Sequence, residues 1–357
     1  MTAENGWDST AFRDGVQAAL DGFVDGQVDG LAMLGDDATR LVREARSAVS
    51  GGKRLRAAFC YWGHRAVAPE PADEQALVRA CASLELLHAS ALVHDDFMDA
   101  SDTRRGRPAT HRQFEGEHRA AGWRGDPEQY GAAAAILLGD LLLSWSDELL
   151  RRCGLPITQV APALEVFDRC RSEVVAGQFL DVSVQARGRA DVDAAMTVLR
   201  YKSAKYSIER PLHIGAALAG ASATTMADLS RFGLPLGEAF QLRDDLLGVF
   251  GDPVTTGKPA GDDLVEGKRT VLVALALDAA APADAARLDA ALGTPLSPDQ
   301  VEDLRAIIDS SGAHAQVEEV IDHLTTRAVS ALDAAAIDDR AREVLRGLAA
   351  SATQRAV

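Results

Sequence analysis

The sequence is short of aromatic residues, 5% of its 357 positions, and of the alternating Val, Ile, Thr and Tyr runs from which strands are built. That shortage excludes a sheet-based architecture. Hydrophobic residues still reach 47%, with Ala and Leu abundant, so an all-α fold is expected. Cysteine is scarce too. Cys60, Cys81, Cys153 and Cys170 show no C-x-x-C spacing, which excludes a zinc or disulfide framework and leaves reduced core residues. Long apolar runs are missing as well. Ala132 to Leu143 is too short to span a bilayer and is interrupted by Gly139 and Asp140. The start, M-T-A-E-N-G-W-D-S-T, has no basic region followed by an apolar one, so no secretory signal is expected and the protein should be cytoplasmic.

Positive charge is the last shortage. Lys and Arg number 37 against 53 Asp and Glu, a net charge of −16, which argues against nucleic-acid or anionic-membrane partners. A polyanionic ligand must then be held locally, by metal and a few placed bases. Nothing in the length forces more than one domain, so residues 1–357 read as one.

What is present centres on Glu85 to Pro108, E-L-L-H-A-S-A-L-V-H-D-D-F-M-D-A-S-D-T-R-R-G-R-P. As a helix, it puts Leu84, Leu87, His88, Ala91 and Leu92 on a stripe that runs into Asp95 and Asp99. Two carboxylates at i,i+4 repel by about 0.2 to 0.5 kcal/mol, and the helix dipole disfavours anions at this end. A solvated acidic face is therefore a poor reading, and a cation should sit there. Oxygen ligands without Cys suit a hard ion, and Mg²⁺ typically combines one or two carboxylates with substrate phosphate oxygens. Arg104, Arg105 and Arg107 around Gly106 suit a bidentate grip on phosphate. Metal and arginines together imply a phosphorylated substrate.

In chain order, residues 8–33 and 38–49 read as amphipathic helices separated by Gly35, with Asp36 or Asp37 as cap, the second ending at Gly51 and Gly52. The G-G-K-R-L-R that follows, residues 51–56, is on its own either a solvated turn or a phosphate grip. The helix bearing the acids should run from about Asp73 to Met98, and 99–110 should be a loop, with Gly106 and Pro108 blocking regular structure. A polar surface loop with Trp123, Gly125 and Pro127 precedes a helix at 128–151. Another helix starts near Pro156 and holds G-Q-F-L-D, with Gln178 and Asp181 at i,i+3. Lys202 lies in Y-K-S-A-K-Y, within a helical stretch 192–218 broken near Pro211. On periodicity alone, Lys202 is an exposed lysine. A helix at 226–250 ends F-Q-L-R-D-D-L-L-G-V-F-G-D, with Gln241 and Asp244 on one face and Asp245 next. A loop carrying Lys258 and Lys268, each preceded by Gly, follows; its length is that of loops with a function. Ser297, Pro298 and Gln300 form a helix start with a capping box, and the remaining chain to about 351 closes as packing or dimer-forming helices.

Asp95 and Asp244 are 149 residues apart, each trailed by phosphate-type bases. Such a pair suits metal ions bridging a diphosphate, neutralising the charge that develops as the diphosphate leaves carbon. The greasy stripe behind Asp95 suits a long apolar tail on that carbon.

These motifs, taken in order from G-G-K-R-L-R through L-L-H-A-S-A-L-V-H-D-D-F-M-D, D-T-R-R-G-R-P, G-Q-F-L-D, Y-K-S, F-Q-L-R-D-D and G-K-P-A-G-D-D-L-V-E-G-K-R-T, resemble the trans-isoprenyl diphosphate synthases, or polyprenyl synthetases. The resemblance covers nearly the whole chain. It implies an isoprenoid-synthase-type helical bundle around a central cavity, usually a homodimer, that condenses isopentenyl diphosphate with an allylic diphosphate. By matching positions it implies that Asp95 and Asp99, supported by Asp96, bind Mg²⁺ on the allylic diphosphate, and that Asp244 holds a third ion. Arg104, Lys202 and Lys258 would bind the allylic diphosphate. Lys53, Arg56, His88 and Arg105 would hold isopentenyl diphosphate. The resemblance also brings in Asp181, Ser203, Gln241 near the allylic cation, and Lys268 near the phosphates.

One position departs from the pattern. The second motif of the family has a third Asp where this chain has Gly248. If Asp244 is the direct ligand, activity survives the loss; otherwise allylic binding suffers.

Product length is a depth argument. Short-chain farnesyl-type members often carry aromatics four and five residues before the first aspartate, and Ala91 and Ser90 stand there. Small residues leave the tunnel open to Leu87 and Leu84, the latter about 16 Å of helix from Asp95. Geranylgeranyl diphosphate, C20, is the expected product, with C15 or C25 and longer as alternatives. A terpene cyclase fits less well, because its second metal site mixes Asn, Ser or Thr with Glu. A phosphohydrolase would need several His on facing helices, and His64, His88, His94 and His111 raise that reading only weakly. A non-catalytic partner subunit is the rival of another class, and Gly248 is a small step towards it.

Overall fold

The computed structural model describes residues 9–188, 191–251 and 261–354. They are helical as expected; the only strands among them are two residues each. The chain divides into two compact units, Met1–Glu165 with Ile214–Gly220, and Val166–His213 with Ala221–Val357.

In the first unit, α1 (Thr10–Leu31), α3 (Leu55–Arg65), α5 (Thr110–Ala121) and α6 (Pro127–Arg151) pack against α4 (Glu74–Met98), and α2 (Asp36–Ala48) packs on α1. Asp73 caps α4, its side chain accepting from the Ala76 N–H at 2.9 Å. The helix is apolar on every side and buries Leu77, Leu84 and Leu86 completely. It is long and apolar enough to cross a membrane by length and composition, yet 72% of the apolar window is buried inside the fold. Each of those leucines contributes about 2 kcal/mol. That outweighs the few tenths of a kcal/mol that stacked aspartates cost at its end.

Three expectations need correction in this unit. Gly35, at φ 59°, caps α2, so Asp36 and Asp37 form its first turn, where the helix dipole favours them. The segment 99–110 contains a small hairpin, β1 (Thr103–Arg104) paired with β2 (Arg107–Pro108). Arg105 and Gly106 both take positive φ at its tip, as a two-residue turn demands. Much of the supposed loop before Pro127 is α5, ended by Gly122 in the left-handed conformation; Asp126 then caps α6 with Pro127 in its first turn.

In the second unit, α10 (Ala223–Phe250) is packed by α15 (Ala313–Ala334), by α16 (Asp339–Thr353) and by a π-helical segment, Leu199–Glu209. That segment continues α8 (Val192–Val198) and leads into α9 (Arg210–Leu218). The helix therefore does not break at Pro211. The preceding turns widen instead, and the Arg210 N–H bonds back to Lys205 O, five residues away. A proline following such turns gives up an N–H and avoids the clash it would make in an uninterrupted α-helix. Helix α7 (Ile157–Arg187) starts as expected, and α11 (Asp262–Val265), α12 (Val271–Ala279) and α13 (Pro282–Ala291) complete the order with α14 (Pro298–Ser310). The capping box at Ser297 and Gln300 is formed in both directions. All four cysteines are buried and reduced.

Candidate active site

In the first unit, Asp99 is the C-cap of α4, its N–H bonded to Asp95 O at 2.8 Å, so the two carboxylates stack one turn apart, both half-buried. Asp96 points differently. It is buried, 3% exposed, and Arg104 Nε lies 2.9 and 3.1 Å from its two carboxylate oxygens. Asp96 therefore pins the hairpin to the helix end and fixes the guanidinium.

Arg105 reaches the other basic loop. Its Nη1 donates to Ser50 O at 3.1 Å, and the guanidinium lies against Gly52, where a Cβ would stand 3.3 Å from it. Lys53 is exposed and Arg56 half-buried. His88, two turns before Asp95, is held well below the ordinary imidazole range by burial and by Arg56, Arg105, Arg104 and Arg54, so it is neutral at pH 7. Burial, with Arg54 and Arg104 beside it, likewise lowers Arg105. The structure thus brings Arg56, His88, Arg104 and Arg105 into one electropositive region.

Two residues in this region were not found from the sequence. Arg54 takes a left-handed φ of 56° and is buried, donating to Glu85 Oε2 at 3.2 Å and to Val49 O at 2.6 Å. Glu85 in turn accepts from the Ala57 N–H at 3.2 Å, capping α3. This pair sets the backbone that presents Lys53 and Arg56. The available signal was a single Glu among the leucines of α4.

Of the depth residues, Ala91 is half-buried on the stripe of Asp95. Ser90 is buried and donates to Gly139 O on α6 at 2.8 Å, so it faces that helix. Leu87 and Leu84 are 2% and 0% exposed. His94 packs over Gly139, leaving no room for a Cβ there, and bonds Ile136 O at 3.1 Å.

In the second unit, Lys202 Nζ lies 2.6 Å from Asp181 Oδ2, and Ser203 follows it, both half-buried on the π segment. Gln241 Nε2 donates to Asp245 Oδ1 at 2.9 Å. Asp245 is pushed up to about 8 by burial and by its neighbours Asp263 and Asp244, which the Gln241 bond and Lys268 only partly offset. Asp244, beside it, is half-buried. Gly248 has a reason in this chain: a Cβ there would collide with the Asp263 carboxylate. The space of the missing third aspartate is filled by an acid from α11. Lys268 joins it, 3.7 Å from Asp263 Oδ1 and 2.5 Å from Glu266 Oε2. Arg243, also unforeseen, ties the motif to the C-terminal helices through Thr353 O at 3.0 Å and Glu318 Oε2 at 2.6 Å. Lys258 lies outside the described residues.

Stacked carboxylates with no thiolate among them fit a hard divalent cation, and the guanidiniums beside them fit a diphosphate. A helical chain built this way belongs to the class of enzymes that perform metal-assisted chemistry on diphosphate esters. The chain is a member of the polyprenyl synthetase family, whose model matches residues 39–310. It is accordingly a trans-prenyltransferase, and the family uses Mg²⁺ on isopentenyl and allylic diphosphates. A geranylgeranyl pyrophosphate synthase from Corynebacterium glutamicum, solved with isoprenyl diphosphate and magnesium, is 41% identical with a TM-score of 0.94, covering 97% of this chain and 99% of that one. The geranylfarnesyl diphosphate synthase of Aeropyrum pernix is 33% identical over 300 residues, 83% of this chain and 88% of that protein. The geranylgeranyl diphosphate synthase of Mycobacterium tuberculosis is 33% identical over 289 residues, 80% of this chain and 76% of that protein. These names differ in product length, so membership fixes the reaction class and not the chain length.

Proposed function

We propose that the whole chain acts as one polyprenyl synthetase domain. It condenses isopentenyl diphosphate with C5 to C15 allylic diphosphates, giving linear all-trans geranylgeranyl diphosphate, C20. The observation that carries this is the Asp95–Asp99 stack at the end of an apolar helix, with Arg104 held beside it by Asp96. Asp95, Asp99 and Asp244 would hold Mg²⁺, three ions with substrate bound, and the metal would supply positive charge against the departing diphosphate. Arg104, Lys202 and Lys258 bind the allylic diphosphate, with Ser203 and Lys268 nearby. Gln241 faces the allylic cation. Lys53, Arg56, Arg105 and the neutral His88 hold isopentenyl diphosphate; His88 donates one hydrogen bond and adds no charge. The isopentenyl double bond attacks the cation, and the released diphosphate takes the proton.

Ala91 supports C20 over C15, since no aromatic floors the stripe one turn below Asp95. The fully buried Leu84 and the nearly buried Leu87 support a stop below it, against much longer products. The exposed apolar side chains of Val175, Phe179 and Val182 on α7, and of Ile136 and Leu137 on α6, support a homodimer. The net charge of −16 supports an enzyme without nucleic-acid partners.

Incubating the pure protein with Mg²⁺, isopentenyl diphosphate and C5, C10 or C15 primers, and weighing the dephosphorylated products, tests the proposal. A linear C20 alcohol is expected. C15 or C25 would keep the reaction and move the floor, a cyclic hydrocarbon would make the chain a cyclase, and no elongation with any primer would make it a partner subunit.

A further inference from the structure

Lys202 and Ser203 ride on the π segment Leu199–Glu209, and two helices of the same unit fix that segment. On α7, Glu173, Gly177 and Asp181 follow at four-residue spacing and share one stripe. At one end of the stripe, Arg210 forks onto Glu173, with Nε and Nη2 each 2.7 Å from a carboxylate oxygen, and Lys205 Nζ joins at 3.1 Å. At the other end lies the Lys202–Asp181 bond. Between them, a Cβ on Gly177 would stand 2.5 Å from the Tyr201 carbonyl carbon, so the two backbones touch with no side chain between.

On α10, Gly237 makes the same backbone contact, and Gly233 lies over Glu209 with the Leu212 side chain also against it, 2.8 Å from where a Cβ would stand. A Cβ at Gly233 would stand 3.1 Å from Glu209 Cα, and one at Gly237 would stand 2.5 Å from Ala204 O. These contacts step by four residues on α10 and by five on the π segment. Wide turns bonded five residues back keep that register, where ordinary helical turns would slip by one residue and carry Lys202 off the stripe of Asp181. Such turns have poorer hydrogen-bond geometry than an α-helix, so they persist only where the surroundings hold them. Arg210 stands where they end. It is buried, its Nη1 lies 3.1 Å from His213 Nδ1, and His213 Nε2 lies 3.0 Å from Ser230 Oγ.

We propose that Glu173 and Arg210 are positioning residues for the prenyl transfer: their forked ion pair anchors the π segment to α7 and thereby places the Lys202 ammonium and the Ser203 hydroxyl on the allylic diphosphate. This rests on the reading that Lys202 grips that diphosphate. Neither residue of the pair touches substrate in this scheme. A small displacement of the segment is enough to weaken the grip, since misplacement by about 1 Å costs on the order of a hundredfold in well-oriented reactions.

The test compares Glu173→Gln, Arg210→Lys and Lys202→Ala in the full chain, with KM for each substrate and thermal unfolding measured separately. Glu173→Gln should raise the allylic KM about tenfold while the isopentenyl KM stays within about twofold. Arg210→Lys should do the same more weakly, because lysine keeps the charge and loses the fork. A pair that only stabilises the fold would move Tm and leave the two KM values in their original ratio. An unchanged ratio in the two variants therefore overturns the proposal, and either variant alone suffices if the other fails to fold. Lys202→Ala separates the two kinds of failure. If it raises the allylic KM while the pair does not, positioning alone is wrong; if it changes nothing, the role of Lys202 is wrong.

Discussion

The acidic ends of α4 and α10 solve the same problem in different ways. On α4, two aspartates stack half-buried, while the acid between them is buried and spent on fixing Arg104. On α10, Asp244 is half-buried, Asp245 is buried and pushed up to about 8, and the third position is a glycine whose space belongs to Asp263. The first end organises its bases through its own acids. The second takes a carboxylate from a later segment of the chain. The space beside Gly248 therefore belongs to a side chain that the motif itself does not contain.

The largest effect should come from breaking the scaffold behind the first end. Arg54→Leu leaves the Glu85 carboxylate buried without its cation, which should cost about 3 kcal/mol. Unfolding in urea would show a lower midpoint, and the isopentenyl KM should rise because Lys53 and Arg56 lose their backbone support. At the second end, Gly248→Asp restores the letter of the motif but collides with Asp263, for a loss of about 2 kcal/mol. Gly248→Asp combined with Asp263→Gly should recover most of it. Stability of the single variant equal to the parent would show that Asp263 moves aside at no cost.

Smaller effects sharpen the contrast. Ala91→Phe should shorten the product with a stability change below about 1 kcal/mol, since the position is half-buried; an unchanged product mass places the floor elsewhere. The last contrast is a pH dependence in the second unit. Burial lowers His213 from 6.5 to about 4, so the folded state binds fewer protons than the unfolded one. Its contribution is complete above pH 6.5 and is lost as the pH falls through about 4. His213→Asn should flatten that part of the acid unfolding curve, with His64, also lowered to about 4, left to account for some of the remaining slope.

Local signals in the sequence carry much of the fold and the site. The stripe ending in Asp95 and Asp99, the Ser297 capping box and the helix of Gln241 and Asp244 all stand where spacing put them. Residues that depend on distant partners did not show. Arg54 and Glu85 lie 31 positions apart, and Asp263 matters because of where Gly248 is. Ser90 has small size in common with a tunnel-lining residue, but its hydroxyl is bonded to α6. Helix α5 was hidden by the glycines and the proline that follow it. The π segment has no period of its own to detect, and Pro211 suggested a break because the widening before it depends on contacts with α7 and α10.

The central claim is that the two acidic ends serve one metal-dependent ionisation. The most direct measurement is the Mg²⁺-dependent rate of diphosphate release from an allylic primer with isopentenyl diphosphate, for the parent, Asp95→Ala and Asp244→Ala, beside their unfolding curves. The account predicts a loss of about a thousandfold in both variants with unfolding unchanged. Parental rates in either one would contradict it.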